Sequence, residues 1–97
     1  MRPNRTEIHG ALTQLDSYFS RRPEDVTKEL AFWECGQLRI QFAREENGRD
    51  AEIAQARRIV GEIEHAILTH DLQAGLPKCG ELRAICDEIW PTRAKPA

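Results

Sequence analysis

No apolar run in the chain approaches the roughly 18 residues a helix needs to cross a bilayer, which argues against a membrane-spanning segment. A cationic surplus is also missing: 14 lysines and arginines stand against 16 aspartates and glutamates, for a formal net charge of −2. Duplex-binding proteins usually carry a basic excess or stripe, because phosphate neutralisation dominates their affinity. Neither is visible here. Cys35, Cys79 and Cys86 are an odd number with no secretory signal before them, so a paired disulfide framework is not expected and a reducing cytoplasm is the expected setting. Without an export signal, the Asn4-Arg5-Thr6 glycosylation pattern reads as coincidence.

Metal and phosphate motifs are lacking too. Cys35, His65, His70, Cys79 and Cys86 are residue types that bind zinc, but no CxxC and no histidine pair at i,i+4 brings them into register, so no metal is expected and the cysteines read as core residues. His70 falls beside Ile59, Ile63 and Ala66 on a helical wheel, which predicts a histidine at the core edge. Gly75 to Gly80 matches the first half of a phosphate loop, yet Glu81 and Leu82 stand where lysine and a hydroxyl residue are required. A helix-turn-helix register on Gly75 fails at Asp71 and Glu81. Gly75 and Pro77 then read as ordinary helix punctuation. Ser17, Ser20, Cys79 and the histidines have no spacing that assigns nucleophile and base, and Gly-rich loops are few, so neither enzyme activity nor a cofactor is expected.

What is present is helical periodicity. Ile53, Ala56, Val60, Ile63 and Ile67 recur at steps of 3 and 4, widened by Ile59 and Ala66, and predict a core-facing helix over 50–72 with Asp50 as its cap. Arg58 and Glu62 lie opposite as an i,i+4 pair. A second stripe of Ala54, Gly61 and Leu68 would allow another backbone to approach closely. Thr6 is placed to cap a first helix over 7–20 carrying Ile8, Leu12, Leu15 and Phe19, with Gly10 inside it. Arg21 and Arg22 form a short connection, and Pro23 opens a second helix over 23–46 with Glu24 and Asp25 in its first turn. Asn47 and Gly48 break the pattern. Gln73 to Pro77 supply the last break before a helix over 78–90 with Leu82, Ile85 and Ile89 together and Cys86 and Trp90 at their edge, ended by Pro91. Residues 91–97 read as a frayed tail.

These spacings predict an all-α, compact four-helix bundle, one domain across residues 1–97 with an ordered core of about 6–90. The second helix is the unusual one. Val26, Leu30, Trp33 and Ile40 share one face, while Ala31, Cys35, Leu38 and Phe42 share nearly the opposite one. The rival reading is a strand over 37–44, where Leu38, Ile40 and Phe42 alternate with Arg39, Gln41 and Ala43; its pairing partner would have to come from another molecule.

A segment with two apolar faces is either central in the bundle or exposed as an interface. The expected function is therefore non-catalytic: binding another protein or a second copy as an adaptor, regulator or inhibitor of a larger assembly. Phe32, Trp33, Leu38, Ile40 and Phe42 are the expected contact residues, with Glu45 and Glu46 at the polar rim. Glu45, Glu46, Asp50 and Glu52 otherwise read as a solvated acidic face. Small helical proteins of phages and mobile elements, anti-CRISPR inhibitors among them, work in this way, a likeness of architecture alone. The alternative is a dimeric DNA-associated transcriptional regulator using Arg21, Arg22, Arg57 and Arg58 on phosphates, and the third is a small enzyme whose site the sequence does not display.

Overall fold

The computed structural model describes residues 5–20, 27–44 and 49–90. Four helices make up the fold: α1 over Arg5–Phe19, α2 over Lys28–Ala43, α3 over Asp50–Leu68 and α4 over Leu72–Ile89. Each packs on its two neighbours around a ring, α1 on α2, α2 on α3, α3 on α4 and α4 back on α1, while neither diagonal pair makes backbone contact. Cross-helix pairs run in opposite senses along neighbours, as in His9 with Trp90 and Asp16 with Arg83, so the bundle alternates up and down.

The core is the sum of four stripes. Ile8, Leu12, Leu15 and Phe19 come from α1, and Ala31, Cys35, Leu38 and Phe42 from α2. Ile53, Ala56, Val60, Ile63 and Ile67 come from α3 and Cys79, Leu82 and Cys86 from α4. Each buried leucine or isoleucine contributes about 1.5–3 kcal/mol by leaving water, so these stripes hold the fold together. At one end the Trp90 ring stacks on Phe42 across the bundle, centroids 5.6 Å apart and planes 2° from parallel. The core of α4 is offset from the expected set: Cys79, Leu82, Cys86 and Trp90 are buried, whereas Ile85 and Ile89 are half-buried at its margin.

Several local expectations are corrected. Thr6 lies within α1, which already includes Arg5. Helix α2 begins at Lys28, where Thr27 is the N-cap and its hydroxyl accepts from Leu30 N at 3.1 Å. Pro23, Glu24, Asp25 and Val26 lie outside the described residues, as do Arg21, Arg22, Asn47, Gly48 and the tail. The strand reading of 37–44 is replaced by helix through Ala43. Asp50 is the first residue of α3, not its cap, and Arg49 precedes it without a side-chain cap.

The α3–α4 junction is where local signals misled most. Helix α3 stops at Leu68, not 72, and α4 starts at Leu72, not 78, with Gly75 and Pro77 inside it. The stop is a left-handed residue: His70 has φ 56°, its N–H donates to Ile67 O at 3.2 Å, and Asp71 N donates to Ala66 O at 2.9 Å. His70 is thus exposed at the turn, away from the core edge. The new start is Asp71, whose carboxylate accepts from Ala74 N at 3.0 Å. Gly75 is needed for contact, because a β-carbon there would overlap the ring of Phe19. Pro77 removes the hydrogen bond to Gln73, which stands on the exposed surface where water can replace it. At Gly61 in the stripe of Ala54, Gly61 and Leu68 no second backbone approaches closely: a β-carbon there would meet only the Arg39 guanidinium, at 4.0 Å.

Candidate partner-binding face

Helix α2 presents different chemistry on each side. Its inner face is closed by Ala31, Cys35, Leu38 and Phe42. On the side toward α3, Arg39 pairs with both carboxylate oxygens of Glu64, one through Nη2 at 2.5 Å. Seven residues earlier on that side, Phe32 is half-buried against the core. On the side toward α1, Gln41 Nε2 donates to Glu7 Oε2 at 2.5 Å. The outer face is left to solvent, and there Trp33 is 58% and Ile40 46% exposed.

The expected contact residues therefore separate. Trp33 and Ile40 share one outward stripe, seven positions or about 10 Å apart along the helix. Leu38 and Phe42 are a correction: at 0% and 2% exposure they are core residues, because their stripe faces α1 and α3 and is filled by them. Phe32 offers only an edge. Glu45 and Glu46 lie outside the described residues. Exposed Leu68 and Leu76 stand on α3 and α4, so no other described helix shows two large exposed apolar side chains on one stripe.

Beside Trp33 a groove of about 290 Å³ runs between α1 and α2, with Gly10 and Ala11 along α1, Gln14 and Gln37 on its walls, and the carboxylates of Glu7 and Glu34. Gly10 has nothing within 4 Å of where a β-carbon would stand, so the groove opens there. Glu34 is only 8% exposed, and burial pushes its carboxyl above the ordinary range. Helical spacing places Trp33 and Ile40 on one stripe without saying that it faces outward, and it could not reveal Glu34, whose burial depends on how α1 crosses α2.

A larger open groove, about 610 Å³, lies along α3 and α4, lined by Arg58, Glu62, His65, Asp71 and Lys78 among others. Charges of both signs oppose each other in it. Lys78 meets Glu62 at 3.2 Å and Glu81 at 3.4 Å, and these carboxylates, Glu62 foremost, raise its pKa, so the amine stays protonated. Glu62 thus pairs across helices with Lys78. Arg57 and Arg58 are exposed on α3.

The thiols are chemically quiet. Cys35, Cys79 and Cys86 are free and buried, and burial is the largest cause pushing each up to about 12. Among the described residues no group of three or more histidine, cysteine, aspartate or glutamate side chains could hold a metal ion, and no described helix is long and apolar enough to cross a membrane. No protein-family model, curated protein or solved structure matches the chain.

Proposed function

We propose that this protein is a non-catalytic protein-binding module, acting as an adaptor, regulator or inhibitor of a larger assembly, and that the outer face of α2 is its contact surface. One observation carries the reading: Trp33 and Ile40 stand in water on a helix whose opposite face already closes the core. Folding gains little from them there. Exposed tryptophan is a favoured anchor at interfaces, where burying its ring supplies area and its indole N–H a directed bond. The partner is another protein or a second copy of this chain.

The test is affinity capture and sedimentation with the wild type and a Trp33→Ala/Ile40→Ser variant of equal helicity. A protein retained, or a dimer formed, by the wild type and lost in the variant supports the reading. Identical retention and identical sedimentation for the two overturn it.

A further inference from the structure

The α1–α2 groove is lined by a largely buried acidic side chain whose carboxylate pairs with no cation among the described residues. Glu34 is 8% exposed and lines the groove, yet among the described residues it makes no hydrogen bond and no ion pair. An ionised carboxylate removed from water is costly unless a cation or donor meets it. Among its described lining residues the groove supplies no cation: its walls hold a second carboxylate, Glu7, already accepting from Gln41, and the neutral side-chain amides of Gln14 and Gln37, with no lysine, arginine or histidine among them. At its rim stands Trp33, 58% exposed, an aromatic face beside an acidic recess.

From this geometry we infer that the groove receives an arginine side chain of the partner protein, its guanidinium pairing with Glu34 and lying against the Trp33 ring. The inference rests on the protein-binding reading above and names the chemistry of its partner. Arginine fits better than lysine for two physical reasons. Its planar fork can bond a carboxylate through two N–H groups while further N–H groups reach the amide oxygens of Gln14 and Gln37. Its flat, weakly hydrated cation also stacks on an indole, where a compact ammonium keeps its water. A volume of about 290 Å³ suits one long side chain better than a cofactor. Ile40, about 10 Å further along α2, would then meet an apolar residue of the same partner segment.

The probe is N-acetyl-arginine N-methylamide, titrated into the full chain and followed by the backbone amides of Gly10 and Gln37 and the indole N–H of Trp33. Saturable shifts are expected, with a dissociation constant on the order of 10 mM for so small a probe. The neutral citrulline analogue, the lysine analogue, and the Glu34→Gln and Trp33→Ala variants with the arginine probe should each bind at least about fivefold more weakly. Glu34→Gln removes a desolvated charge and keeps the side chain's shape, so the fold is retained. No saturable shift, equal binding of citrulline or lysine, or unchanged binding in Glu34→Gln would overturn the inference. If the probe fails while capture still depends on Trp33 and Ile40, only the arginine assignment falls; if that dependence is lost, the protein-binding reading falls with it.

Discussion

The ring of Phe19 occupies the space that a β-carbon on Gly75 would fill, so α1 and α4 meet at a position that only glycine fits without displacement. Alanine at an unhindered helix site would gain about 1 kcal/mol over glycine. Here the overlap outweighs that gain, because three ring atoms of the buried Phe19 overlap the place where the β-carbon would stand and the ring would have to shift within the core. Gly75→Ala should lose about 1–3 kcal/mol in chemical denaturation. Combining it with Phe19→Leu should recover part of the loss, which a double-mutant cycle would read.

His70 holds a left-handed conformation that L-residues disfavour by about 1–2 kcal/mol, and its side chain is exposed. Glycine removes the penalty while keeping both backbone bonds of the turn. His70→Gly should therefore stabilise the protein by about 1 kcal/mol, seen as a higher denaturation midpoint at unchanged slope.

Periodicity made α1 and α3 legible, because each has one apolar stripe and the structure buries it. Helix α2 was legible in kind but not in orientation: a wheel with Trp33 and Ile40 opposite Leu38 and Phe42 is nearly symmetric, and only the neighbours decide which face is inside. The α3–α4 boundary was misread for a related reason. Gly75 and Pro77 carry strong local preferences for ending helices, whereas the true turn uses His70, a residue with no such signal, and Gly75 serves a tertiary contact invisible along the chain. The groove beside Trp33 could not be read at all, since Glu7, Gln14, Glu34 and Gln37 converge only when α1 and α2 pack.

The split of α2 into inner and outer faces predicts opposite outcomes for similar substitutions. Leu38→Ala should cost about 2–5 kcal/mol, and Leu38→Asp or Phe42→Asp should unfold the protein by placing a charge in the core. Trp33→Ala and Ile40→Ser should stay within about 0.5–1 kcal/mol of the wild type. Circular dichroism and denaturant titration distinguish the two groups.

Glu34 gives a pH signature of definite sign. Its carboxyl is raised in the folded state by burial, so the fold binds a proton more readily than the unfolded chain. The destabilisation is fully present above the folded pKa and relieved as pH falls toward the unfolded value. Glu34→Gln should accordingly be more stable than the wild type at pH 7, with the difference shrinking on acidification. Subtracting the two stability curves isolates Glu34 from the other carboxylates.

The central claim is that the outer face of α2 serves recognition and not folding. It is tested most directly by measuring, for the captured partner or for self-association, the dissociation constants of the wild type and Trp33→Ala/Ile40→Ser, together with their unfolding free energies. The account predicts at least about tenfold weaker binding, or about 1.4 kcal/mol, with nearly unchanged stability. Equal affinity for the two proteins would contradict it.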